Sequence, residues 1–119
     1  MGRKVLTIEM IAQLYQLAKG VYLGTVSITK AKEEAEFVYG INPNTADGII
    51  RNLSHMLAGE KYVRTMSDQL TRYFLDNILI DFGQEALSAA LMAIRKHREY
   101  YEKRVNKLPY LAQILRDYQ

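Results

Sequence analysis

Apolar residues recur at spacings of three and four along most of this chain, and glycines or short polar turns close each run. That spacing is the period of an amphipathic helix, so it restricts the fold before any motif is considered. Ile8, Ile11, Leu14, Tyr15 and Ala18 form one stripe, in a first helix from about Thr7 to Tyr22 bracketed by Gly20 and Gly24. Ser27-Ile28-Thr29 offers N-caps for a second helix, Lys30 to Tyr39, with Ala31, Ala35 and Val38 inward and Gly40 as its left-handed stop. Ile41-Asn42-Pro43-Asn44 reads as a tight turn. Asn44 is the expected cap of a third helix, with Asp47 completing a pair like a capping box. That helix carries Ala46, Ile49, Ile50, Leu53, Met56 and Leu57 and stops at Gly59.

Glu60 to Thr65 is a short connector with room for a brief extended piece. Ser67 caps a fourth helix through Leu70, Tyr73, Phe74, Ile78 and Ile80 to Phe82-Gly83. The longest helix follows, from Gln84 to about Arg104, burying Leu87, Ala90, Leu91, Ile94 and either His97 or Tyr101. Asn106 is positioned to cap a last helix with Pro109 in its first turn and Leu108, Leu111, Ile114 and Leu115 on its stripe. The expected class is all-α: a compact bundle of about six helices with a helix-turn-helix-like segment, residues 1–119 forming a single helical domain.

Several function classes drop out. The chain has no cysteine, so disulfides, thiolate nucleophiles and cysteine zinc sites are excluded. Its two histidines, His55 and His97, lack the partners and spacing of a metal site. Ser54 and His55 are neighbours on a helix and point about 100° apart, poor geometry for a nucleophile and its base. Asp76 and Asp81, five apart, do not face each other, and the scattered glycines form no phosphate-binding fingerprint. No catalytic residue, metal or cofactor is expected, and the chain is read as a non-enzyme. No apolar run approaches a membrane span. The start Met1-Gly2-Arg3-Lys4-Val5-Leu6 fits neither a signal peptide nor a myristoylation site. A cytoplasmic, prokaryotic setting is the expectation.

The net charge is +3, mild for a nucleic-acid binder, so distribution matters more than the sum. Residues 30–60 set Lys30, Lys32 and Arg51 against Glu33, Glu34, Glu36, Asp47 and Glu60. Residues 82–119 set Arg95, Lys96, Arg98, Lys103, Arg104, Lys107 and Arg116 against Glu85, Glu99, Glu102 and Asp117. The positive end is C-terminal.

Three constellations are candidates for binding. In the helix-turn-helix-like segment, Asn44 and Arg51 sit where a reading helix would meet base edges or phosphate. Two helices joined by a glycine turn are common in helical domains, however, and the acidic first helix would repel phosphate. In Tyr62-Val63-Arg64-Thr65, an extended backbone would point Tyr62 and Arg64 to one side, to stack on a base and hold a phosphate, with Arg72-Tyr73 following. The structural alternative has Tyr62 covering a core edge and Arg64 paired with Asp68, Asp76 or Asp81. On the long helix, Arg95, Lys96, His97, Tyr100 and Tyr101 interleave bases with aromatics. The alternative there is a solvated charged face, supported by Glu99 four residues before Lys103.

The ordered set Tyr39-Gly40, Ala46, Tyr62-x-Arg64-Thr65, Tyr73-Phe74-Leu75, Asp81-Phe82-Gly83, Leu87, Ala90-Leu91, His97 and Tyr100-Tyr101-Glu102 resembles an accessory helical domain that precedes HNH-type nuclease domains in prokaryotic restriction-like proteins. The resemblance runs over nearly the whole chain. It implies a role in holding or recognising DNA for a nuclease, with a nuclease or another protein as a further partner. The chain itself has no ββα unit with the histidines and asparagines of an HNH site. The expected function is therefore a non-catalytic DNA-binding module of a restriction or defence system. The rival is a protein-interaction or oligomerisation domain, such as a homodimer, of phage or mobile-element origin, since tyrosine is good interface material.

Overall fold

Helix-capping chemistry divides the chain where the glycines and hydroxyl residues say it should. The computed structural model describes residues 6–62 and 64–119. Among the described residues there are six helices and no strand, so the chain is all-α: α1 Ile8–Leu23, α2 Ile28–Tyr39, α3 Pro43–Leu57, α4 Asp68–Phe82, α5 Gln84–Arg104 and α6 Pro109–Asp117. The expectations for the Met1–Val5 segment, and for Val63 in the connector, lie outside the described residues. Contacts divide the chain into two compact units, one ending at Leu53 and one from Ser54 to Gln119. No helix among the described residues is long and apolar enough to cross a membrane.

In the first unit, the Thr7 hydroxyl accepts the Met10 N–H and opens α1. Gly24, at φ +80°, closes it by returning its N–H to the Gly20 and Val21 carbonyls. α1 buries Ile11, Leu14, Tyr15, Leu17 and Ala18, and α2 packs on it through the small residues Ala31 and Ala35. Ile8 and Val38, expected inward, are exposed instead. The inward row of α2 continues by steps of four to half-buried Tyr39, which turns Val38 away.

α3 also starts two residues earlier than expected. The Asn42 side chain, not Asn44, is the cap: its oxygen accepts the N–H groups of Asn44 (2.8 Å) and Thr45 (3.4 Å). Pro43 takes the first helical position, where a missing N–H costs nothing. Asp47 does no capping. Its carboxylate accepts from Arg51 and faces Lys32 of α2 at 3.5 Å. Ala46, Ile49, Ile50 and Leu53 give this stretch of α3 its buried face.

In the second unit, the Ser67 hydroxyl accepts the Leu70 N–H to open α4, which buries Leu70, Thr71, Phe74, Leu75 and Ile78. Ile80, expected inward, is exposed because it lies about 200° around the helix from Ile78. Gly83, at φ +95°, turns the chain directly into α5. α5 buries Leu87, Ala90, Leu91, Ala93, Ile94 and His97. Asn106 does not cap α6. Leu108 holds the cap position, and its N–H is taken by the Glu102 carboxylate at 2.9 Å. α6 packs on α4 and α5 through Leu111, Ile114 and Leu115.

One glycine is there for space. Replacing a mid-helix glycine by alanine ordinarily stabilises by about 0.5–1 kcal/mol. At Gly20, a new Cβ would stand 2.8 Å from Val26 Cγ1 and 3.2 Å from Thr25 Oγ1. We therefore expect Gly20→Ala to destabilise by about 1–3 kcal/mol, the cost of overpacking. Gly20→Ala combined with Val26→Ala should recover most of that loss in urea denaturation. A single variant more stable than the parent would show that the contact yields freely.

Candidate nucleic-acid interface

The connector between α3 and α4 begins with the N–H groups of Ala58, Gly59 and Glu60 returned to α3 carbonyls, and other elements help to fix its path. Residues of α5 and α6 do so. Lys96 Nζ donates to the Gly59 carbonyl at 2.8 Å. His97 Nδ1 lies 2.6 Å from the Tyr62 carbonyl, and Nε2 lies 3.2 Å from the Thr65 hydroxyl. A carbonyl only accepts, so Nδ1 carries the proton and Nε2 accepts from Thr65. The Tyr110 hydroxyl donates to the Met66 carbonyl at 2.6 Å.

Tyr62 is 1% exposed, and its ring stacks on the His97 imidazole at 4.3 Å and 14°. Tyr101, one turn beyond His97, tilts against the imidazole at 5.8 Å. Burial pushes the His97 pKa below 6.5, and the hydrogen bond to Tyr62 opposes this only in part. Burial also pushes the Tyr62 and Tyr110 hydroxyls up, so both stay protonated.

This corrects the recognition role expected for two residues. Tyr62 and His97 are core groups, and neither offers a free ring face to a base. Nor do Tyr62 and Arg64 share a side, since Tyr62 is buried, Arg64 is exposed, and the described connector contains no strand. Arg72 is occupied as well. Its guanidinium meets Asp68 and Asp117 at 2.9 Å each, tying α4 to the end of α6. The Tyr118 hydroxyl supports the same junction by donating to Asp76 at 2.8 Å, and burial followed by that carboxylate raises its pKa to about 12. Tyr73 and Tyr101 are half-buried.

Arg95 and Lys96 face different ways on α5. Arg95 lines a hollow of about 210 Å³ with Arg98, Glu99, Glu102 and Leu115, whose charges are mixed. The ion pair of this stretch is Arg98–Glu102 at 3.1 Å. Glu102 is held below the usual carboxylate range, first by the Leu108 N–H and then by Arg98. Asn44 and Arg51 belong to the first unit and are exposed. Arg51 is bonded to Asp47 one turn back on α3. Burial raises the Asp47 carboxyl, but Arg51 and Lys32 outweigh it and leave the group below its ordinary value.

What remains outward on the second unit is a group the sequence showed only in part. The Lys61 ammonium lies over the Tyr100 ring, 3.9 Å from its centroid, and the Arg104 guanidinium lies over the same ring at 4.3 Å. Lys61, Lys96 and Arg104 are all exposed. Tyr100 and Arg104 are four apart on α5, which is legible in sequence. Lys61 is not, because its place depends on how the connector crosses α5. Contact with the Tyr100 ring restricts both flexible side chains while leaving their charge at the surface. By charge, phosphate oxygens are suitable partners for these exposed cations. Among the described residues, no group of three or more His, Asp or Glu could hold a metal ion.

No family model matches the chain. It is 34% identical over 82 residues to the chromosomal replication initiator protein DnaA of Mycoplasma capricolum subsp. capricolum, a match covering 69% of this chain and 17% of that protein. It is 33% identical over 82 residues to the protein of the same name from Mycoplasma mycoides, covering 69% and 29%. The chain thus spans less than a third of the length of either relative. No solved structure matches.

The state of His97 gives the core a pH dependence with a definite sign. Its folded pKa lies below the unfolded value, so the unfolded chain binds the extra proton more readily. The stability from a neutral His97 is complete above about pH 6.5 and declines as pH falls through the lower, folded value. Thermal melts should therefore drop as pH is lowered from about 7.5 to about 5. His97→Leu should melt lower at pH 7.5, because the Tyr62 carbonyl and Thr65 lose a partner, yet change less across that range. An equal pH response in both proteins would remove His97 as the cause.

Proposed function

We propose that this chain is a helical nucleic-acid-binding module that holds DNA through phosphate contacts from Lys61, Lys96 and Arg104. The carrying observation is the convergence of Lys61 and Arg104 on the ring of Tyr100. Partial likeness to two chromosomal replication initiator proteins supports a site of action on DNA. Exposed Arg64 belongs to the same unit. The cluster supplies charge in fixed places but few base-reading groups, so backbone affinity dominates and sequence preference is weak.

The finer reading is a non-catalytic recognition part of a prokaryotic restriction or defence system, acting in the cytoplasm beside a nuclease. Its support is the resemblance in the ordered tyrosine, arginine and glycine positions. In that setting the module would position DNA while a separate domain or partner cuts it.

Salt dependence separates the roles of the cluster members. Binding of duplex and single-stranded DNA, measured by fluorescence anisotropy between about 50 and 200 mM salt, should weaken steeply as salt rises. Lys61→Ala and Arg104→Ala should each lower affinity and make the log–log slope shallower by about 0.9 for duplex. Tyr100→Leu should lower affinity through loss of cation placement while leaving the slope nearly unchanged. No binding at low salt with tens of micromolar protein, roughly the non-specific range, would refute the proposal.

A further inference from the structure

The first unit exposes an apolar group that its own packing leaves uncovered. Phe37 is 93% exposed, Val38 62% and Ile8 67%. α1 and α2 run antiparallel, with the Gln13 side-chain amide bonded to the Glu34 carboxylate. That register puts Ile8 at the same end of the helix pair as Phe37 and Val38. Among the described residues, exposed Glu9 adjoins Ile8, and exposed Glu33, Glu34 and Glu36 lie within one turn of Phe37. Single exposed apolar residues are ordinary, but a group of them rimmed by polar side chains marks an interaction surface. Phosphate is a poor occupant because the carboxylates repel it.

The second unit carries a surface of opposite sign. At the end of α5, Val105 is 58% exposed and stands among exposed Lys103, Arg104 and Lys107. One surface sets apolar residues beside carboxylates, and the other sets a single valine among cations, so charge complementarity rather than apolar area matches them. We propose that they are partners between two copies of this chain: the Phe37 end of α2 in one copy docks on the Val105 end of α5 in another. The negative end of the α2 dipole adds to the attraction for cations. The contact joins different surfaces, so each copy keeps one half free, and association proceeds head to tail into a ring or a short chain. Opposite charges at the rim set the pairing and make it salt-sensitive. A contact of this size is weak, in the micromolar to millimolar range. The inference does not depend on DNA binding, although Arg104 belongs to both surfaces.

Sedimentation velocity of the full chain, without nucleic acid, tests it from about 10 μM to about 1 mM at low salt. The average sedimentation coefficient should rise with concentration, and the rise should vanish at about 0.5 M salt. Phe37→Ser should abolish the rise with helix content unchanged, since the side chain is exposed. Glu33→Lys with Glu36→Lys, and separately Lys103→Glu with Lys107→Glu, should each give a chain that stays monomeric alone. Mixed together, the two variants should associate, because each then supplies the charge the other has lost. Arg104 is kept in both, so a DNA titration of the same proteins reports on the DNA reading separately. A parent that stays monomeric throughout, a mixture that stays monomeric, or assembly indifferent to these substitutions would overturn the proposal.

Discussion

The buried imidazole of His97 is the link on which the second unit's surface depends. A polar side chain with no exposure requires partners, and both of its partners come from the connector. The Tyr62 carbonyl receives Nδ1–H while the Tyr62 ring stacks on the same imidazole, so one residue is held through backbone and side chain together. Lys61 immediately precedes Tyr62, and Tyr100 lies one helical turn beyond His97. Fixing Tyr62 on His97 thereby brings the Lys61 ammonium to the Tyr100 ring. The outward cluster is a consequence of an inward hydrogen bond.

The remaining cations divide by use. Arg51 and Lys32 meet Asp47, Arg72 meets Asp68 and Asp117, and Arg98 meets Glu102. Partly exposed pairs of this kind contribute at most about 1 kcal/mol each. Their larger effect is geometric: Arg72 holds the end of α6 to α4, and Glu102 directs the chain from α5 into α6 through the Leu108 N–H. With these carboxylates committed internally, Lys61, Lys96 and Arg104 face solvent in the second unit, while Glu33, Glu34 and Glu36 face it in the first.

The helices were legible because their ends are chemically marked. Thr7, Ser27 and Ser67 each accept an N–H three residues on, and Gly24 and Gly40 close α1 and α2 in the left-handed region. The faces were less legible. A helix step is 100°, so a stripe at three and four admits neighbours that the packing then rejects, as with Val38 and Ile80. Asn42 and Asn44 are equally good caps by type, and only the position of Pro43 in the first turn decides between them. The site misled for a different reason. Tyrosine beside arginine suits recognition, but a tyrosine ring also fills a core well, and Tyr62 does so. Lys61 carries no mark in one dimension, since its neighbour Tyr100 is thirty-nine positions away and meets it only through the connector's path.

Arg104 ties the two proposed surfaces into one equilibrium. Its guanidinium lies over Tyr100, and the residue directly precedes Val105 in the chain, so the proposed phosphate site and the proposed copy-to-copy site share one cation. A cation engaged with phosphate gives up its attraction for a carboxylate. Polyanion binding at the second unit therefore withdraws a charge from self-association, and the two processes oppose each other by mass action. The α2 carboxylates of another copy are the competing partners for that cation, so in the proposed scheme phosphate and a second copy displace each other at the basic surface.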